Sequence, residues 1–177
     1  MNLAEALIAF VHDVAGPFLG LVEIACWVAG LWLILLTALR MLKHSDTFGK
    51  GAPPAALGTL ATFMAGVILL QLPAWMNALA ITFFGTAETP GRAVLGYGDP
   101  SNGIDQLLGA VFTIVALTGL VAFIRGIFVL RACSDGKPSA SAGQAAMHLV
   151  GGTAAWHIVA VIDAVQTTLG IQILDIS

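Results

Sequence analysis

The chain has 177 residues, 58% of them hydrophobic and 10% charged, with a net charge of −3 and a mean hydropathy of +0.94. An ordinary soluble domain carries roughly 25% charged residues, so the composition excludes that class and points to an integral membrane protein. The small net charge, without any basic or acidic run, does not imply a polyanionic partner, and no direct nucleic-acid binding is expected.

The length suits a single membrane domain spanning 1–177 with no separate soluble domain. Its first twenty residues carry Glu5 and Asp13 but no Lys or Arg. They lack the basic region of a secretory signal and are expected to be kept. Leu3, Leu7, Phe10, Val11 and Val14 fall at helical spacing, opposite Asn2, Glu5, His12 and Asp13, which predicts an amphipathic helix over 1–15. Gly16 and Pro17 are expected to end it.

Four hydrophobic helices follow, at 18–42, 54–84, 104–131 and 142–169. Each can cross a hydrocarbon core, which needs about 20 apolar residues. The second is too long for one straight span, and Pro73, lacking an N–H and clashing with the preceding turn, should kink or break it. The predicted fold is therefore all-α: an integral membrane helical bundle with an N-terminal amphipathic helix. No internal repeat is legible.

The loops orient the chain. Arg40, Lys43 and Lys50 flank the first connection and Arg131 and Lys137 the third, so both should be cytoplasmic. The loop at 85–103 holds Glu88 and Asp99 against Arg92, and the termini hold acids without bases. Both termini and that loop are expected on the outer, periplasmic side of a bacterial inner membrane. Cys26 and Cys133 then lie toward opposite faces, which argues against an intramolecular disulfide.

The last segment, "HLVGGTAAWHIVAVIDAVQTTLG" at 148–170, holds His148, His157, Asp163 and Gln166 inside an apolar run. On one continuous helix, at about 100° per residue, Gln166 returns to the line of His148, with Gly152 and Ala155 beside it and Asp163 at the edge. His157 points nearly the opposite way. Metal ligands on one helix normally share a face at i and i+4, so no metal or haem site is predicted.

A proton or ion path would draw on Glu23, Arg125, His148 and Asp163, since ionisable residues in membrane segments often mark function. Each lies within a few turns of a predicted helix end, where it can reach headgroups or water. The glycines suggest another role. Gly151, Gly152 and Ala155 form a notch that admits another backbone, with His148 and Gln166 available for hydrogen bonds across the contact. Gly58, Ala61, Ala65 and Gly66 in the second segment, and Gly109, Ala116, Gly119 and Gly126 in the third, offer similar surfaces. Four helices have limited mutual surface, so some of these seams are expected to serve other subunits, identical or different. No nucleophile–base arrangement, Walker loop or HExxH occurs, so no enzyme is predicted. Ser134 and Ser139 to Ser141 read as turn and cap residues. No cofactor is implied, although exposed apolar helices need acyl chains around them and bound phospholipid fits.

"AFIRGIFVLRACSDG" at 122–136, followed by the segment at 148–170, resembles the paired C-terminal helices of small polytopic membrane proteins of type IVB secretion systems. These are the DotE/IcmC, DotV and DotP/IcmD group and the TraQ-like proteins of IncI-type conjugative plasmids. The similar elements are Phe-Ile-Arg-Gly at 123–126 and the His, Gly-Gly and Thr-Leu-Gly around His148, Gly151, Gly152 and Gly170, with His157 standing where such proteins have Asn. The resemblance covers about fifty residues. It implies a noncatalytic structural subunit of an apparatus that moves protein or plasmid DNA, self-assembling or joined to other secretion-system membrane subunits, in the inner membrane or in an extracellular pilus or tube. The competing expectation is a small proton- or ion-coupled transporter or channel subunit, with the break at Pro73 lining its site.

Overall fold

The computed structural model describes residues 3–45, 56–85 and 103–170, so most of the predicted outer loop lies outside the described residues. Among the described residues all regular structure is helical: α1 (Leu3–Ser45), α2 (Ala56–Leu70), α3 (Leu72–Phe84), α4 (Gly103–Ser134), α5 (Ala142–Trp156) and α6 (Ile158–Leu169). Within α1 and α4 the stretches Ile8–Leu42 and Gln106–Ser134 are long and apolar enough to cross a membrane. The remaining helices form two bent pairs. From α2 to α3 the chain turns by 96°, and from α5 to α6 by 86°. If each pair counts as one span, the chain has four.

The predicted stop at Gly16 and Pro17 does not occur. Pro17 lies inside α1, and Gly16 does not adopt the positive φ of a helix end. The physical reason is the packing on either side. Val11 and Ala15, in the turns before the proline, are buried against Ala110 of α4, and Leu19, after it, joins the main core. A proline forfeits one backbone hydrogen bond, and the neighbouring helix holds the rest of the rod in line.

The two long helices run parallel. Their early parts meet at Val11, Ala15 and Ala110. Their C-terminal ends meet where the Arg40 guanidinium lies 3.4 Å from the Asp135 carboxylate. Arg40 also donates to the Thr62 hydroxyl at 3.3 Å, so α1, α2 and the end of α4 are tied at the basic end of the bundle. Ser141 caps α5, its hydroxyl accepting from the Gln144 N–H at 3.1 Å, as its position in the linker predicts.

Against the sequence expectation, the fold repeats itself. A long helix leads in each half to a 15-residue helix, which breaks sharply into one of 13 residues in α3 and 12 in α6. The break residues Gln71 and His157 have nearly equal backbone angles, φ −119° and ψ 38° against φ −104° and ψ 39°. Each short helix ends on a left-handed glycine, Gly85 and Gly170. The pairing of long and short helices is the same too. A Cβ on Gly66 would meet Gly30 and Ile34, and one on Gly152 would meet Gly119 and Phe123, four residues apart in both cases. With no Cβ at the crossing, the backbones meet directly and the axes approach closely. The repeat is faint in the sequence because the two halves keep these glycines and little else.

Candidate functional site at the helix breaks

Residues flanking the two breaks share the core. Leu69, Leu72 and Met76, around the first break, and Leu120, Phe123 and Trp156, around the second, belong to one buried cluster. Between them lies a cavity of about 320 Å³, walled by α1, the α2–α3 break, Leu120 of α4 and Trp156 at the end of α5. Because an α-helix needs its backbone hydrogen bonds intact to pack straight, each break opens space that a continuous helix would fill.

Two polar side chains enter this space. Glu23, on α1, is exposed at its edge. Asn77, on the second turn of α3, is half-buried, and its Oδ1 is sealed from solvent with no hydrogen-bond partner. Cys26, buried on α1, also borders the cavity, and the indoles of Trp27 and Trp156 stand in its wall. Along α1, Glu23 lies about 25 Å from Arg40 at 1.5 Å per residue. With α1 running on past Pro17 to Leu3, it is an interior residue of a long helix rather than one near a helix start.

The break at His157 overturns the reading of 142–169 as a single helix, and with it the alignment of Gln166 with His148. The 86° bend carries Asp163 and Gln166 onto α6, away from the α5 stripe. His157 is fully buried at the bend. Its burial is a tertiary effect that no local pattern announces. Gln166 is buried on α6 and Asp163 is exposed there. Arg125 is exposed on α4. His148 is half-buried, and its Nδ1–H donates to the Gln144 carbonyl at 2.8 Å. Of the four ionisable residues that a proton path would use, Glu23 alone borders the cavity.

The small-residue seam is brought together in part, and within the chain. A Cβ on Gly119 would lie 2.7 Å from the Gly152 carbonyl oxygen and from the Ala155 Cβ. One on Gly126 would lie 3.0 Å from the Leu149 nitrogen and 3.1 Å from the His148 Cβ. Gly119, Gly126, His148, Gly152 and Ala155 thus belong to the α4–α5 contact, the most extensive among the described residues. Gly151 is not part of it: a Cβ there would meet nothing within 4 Å. Gly30, which meets Gly66, was not predicted, because only Ala29 accompanies it among larger apolar neighbours. Cys26 and Cys133 are both free thiols, and among the described residues no three His, Cys, Asp or Glu converge as a metal site. No protein family, curated protein or solved structure matches the chain.

Proposed function

We propose that this chain is a noncatalytic structural subunit of a type IVB-like secretion or conjugation apparatus, embedded in the inner membrane or drawn from it into a pilus or tube, and supporting transfer of protein or plasmid DNA. One observation carries the reading. The residues behind the resemblance in the C-terminal half, Phe123, Gly126, His148 and Gly152, meet in one backbone-to-backbone contact between α4 and α5. They make a stiff hairpin, the kind of element a structural subunit presents to its neighbours. On the outer side of that hairpin, Met147 is 77% exposed, Val150 is exposed, and Gly151 offers a bare backbone. This face of α5 is the surface proposed for other copies or other membrane subunits, with phospholipid covering the remaining apolar surface. The Arg40, Arg131 and Lys137 end is cytoplasmic in this reading and both termini are periplasmic.

The test is extraction in mild detergent, followed by size exclusion and electron microscopy, with sheared surface material in parallel. A ring, tube or filament containing the chain is expected. A monodisperse monomer absent from the surface fraction would overturn the reading. Gly151→Leu should abolish assembly while leaving the monomer folded.

A second reading, a small ion-coupled transporter, is favoured by the cavity. Repeated halves whose broken helices meet at an enclosed polar group recur in carriers, and here they meet beside Glu23 and Asn77. Flux into proteoliposomes by a monomeric preparation, lost in Glu23→Gln, would select it over assembly.

A further inference from the structure

Five residues of the cavity wall have counterparts in the second half of the repeat, and there the same place is filled. Eleven and seven residues before Gly30 stand Leu19 and Glu23, and at the same distances before Gly119 stand Leu108 and Phe112. One, two and five residues after the break residue Gln71 stand Leu72, Pro73 and Met76, and after His157 stand Ile158, Val159 and Ile162. All five residues of the first half line the cavity. Their counterparts form one packed cluster, in which Phe112 is buried with Val159 and Leu108, Ile158 and Ile162 lie against them. A phenyl ring therefore occupies the space beside the second break. At the first break the corresponding residue is Glu23, exposed at the cavity's edge, and the space stays open.

The wall indicates what belongs in that space. Its polar groups are of both kinds, since Glu23 offers acceptor oxygens while the Asn77 amide and the indoles of Trp27 and Trp156 offer N–H donors, so they select no ion by charge. Its buried part, including Leu19, Leu69, Leu72, Met76 and Leu120, is apolar. Water needs two to four polar partners to settle in a cavity, whereas an apolar cavity of about 150 Å³ stays dry and takes up benzene. At about 320 Å³ this one has room for roughly a dozen carbon atoms on that scale. Its exposed wall residues are Glu23, Trp27 and Pro73, so the mouth lies between α1 and the start of α3. Leu21, Ile24 and Val28, beside that mouth on α1, are exposed and belong to a stretch apolar enough to cross a membrane. The cavity therefore opens on a surface that bilayer hydrocarbon covers, where acyl chains are the most concentrated apolar ligand.

We propose that this cavity binds one acyl chain of a bilayer phospholipid, entering methyl end first between Trp27 and Pro73 and ending against Trp156, in the place that Phe112 fills in the second half. The headgroup stays outside the mouth. The site rests on the repeat and on the cavity's wall, and needs neither the assembly nor the transport reading.

The test uses the full chain, one copy per nanodisc, in phosphatidylcholine carrying bromine on an acyl chain either near its methyl end or near its ester. Bromine quenches an indole only at close range. With Trp27→Phe, Trp32→Phe and Trp75→Phe combined, Trp156 is the single fluorophore. It is 7% exposed against 59% for Trp32, so a matched variant keeping Trp32 alone reports ordinary contact with lipid. Methyl-end bromine should quench Trp156 as fully as it quenches Trp32, and ester-end bromine should quench Trp156 less. Glu23→Phe, which gives the first half the residue of the second, should abolish the quenching of Trp156 and leave that of Trp32 unchanged. Val22→Phe, on the half-buried rim, should do the same by another route, and unchanged circular dichroism with unchanged Trp32 quenching identifies a folded variant. Trp156 untouched by methyl-end bromine while Trp32 is quenched would overturn the proposal. So would quenching of Trp156 that persists in the folded variants, stronger quenching by ester-end bromine, or quenching by aqueous acrylamide in place of bromolipid, which would mean a water-filled cavity.

Discussion

Gly119 and Gly152 face one another so closely that a Cβ on either would lie 2.7 Å from the other's carbonyl oxygen. Gly30 and Gly66 stand in the same reciprocal relation, at 2.8 and 2.9 Å. Each crossing fixes a short helix against a long one, and beyond each the short helix breaks and turns away. The glycine crossing sets how close the helices come, and the break sets where a cavity opens. Together they place the two bends at one level of the bundle, between α1 and α4, so that Trp156 and Leu70 share a wall.

Replacing Gly152 with Ala should destabilise the fold, because the new methyl meets the Gly119 carbonyl and the Phe123 backbone, which cannot move aside as a side chain can. Overpacking of this kind costs about 1–3 kcal/mol. Gly151→Ala, at the adjacent position with open space around it, should stay within about 0.5 kcal/mol of wild type. Denaturant unfolding in detergent followed by circular dichroism measures both. Equal stabilities for the two variants would mean that the α4–α5 crossing is looser than the structure has it.

The contrast between these neighbours also shows what the sequence could and could not reveal. Composition disclosed helices apolar enough to cross a membrane, and Pro73 marked where the first break falls. The Gly151–Gly152 pair announced a seam but not which glycine faced inward or which partner it met; α4 of the same chain fills that place. The break at His157 has neither proline nor helix-ending glycine beside it, and only the second copy of the plan explains it. Had Gly66 and Gln71 been set against Gly152 and His157, both five residues apart, the duplication and the second break would have been legible. Glu23 was visible as an acid within an apolar run, whereas Asn77 drew no notice, since its importance comes from burial of its oxygen.

At the basic end, Arg40 joins Thr62 and Asp135. The pair is partly exposed, 38% and 21% by side chain, so screening limits its worth to about 1 kcal/mol or less. Arg40→Ala should lower stability by that amount at low salt and by less as ionic strength rises. Thr62→Val removes an uncharged acceptor, and its effect should not depend on salt. Unfolding of both variants across a salt series tests this, and a salt-independent loss in Arg40→Ala would assign the residue's contribution to packing of its aliphatic stem.

The two thiols should report on sidedness. Cys133 is half-buried at the end of α4 that carries Arg131 and Asp135, and Cys26 is buried inside the bundle. A membrane-impermeant maleimide should label Cys133 alone, and only in inverted vesicles if the basic end is cytoplasmic. Labelling from the outer face of intact spheroplasts would reverse the proposed orientation, and labelling of Cys26 in folded protein would show that its helix contacts open.

The bend between α2 and α3 should survive the loss of its proline. Pro73 sits in the first turn of α3, where its missing N–H costs little, since a helix start has no partner for that group anyway. Its ring disfavours a straight continuation of α2, yet α1 runs on past Pro17, and the equivalent bend at His157 turns by 86° with no proline in either helix. What holds both bends is packing beyond the break: Met76 and Ala80 of α3 are fully buried, as is His157. Straightening α2 into α3 would strip that surface of its contacts, at about 25 cal/mol per Å² of apolar area exposed. Pro73→Ala should therefore keep the 96° turn, whereas Met76→Asp, which puts a charge into the packed face, should release α3. Spin labels at Thr59 and Thr82, with distances measured by pulsed electron resonance in nanodiscs, distinguish the two causes. An unchanged distance in Pro73→Ala means that the bend belongs to the repeated fold. A lengthening toward a straight rod means that the proline makes this bend by itself and that the two halves reach the same shape by different physics.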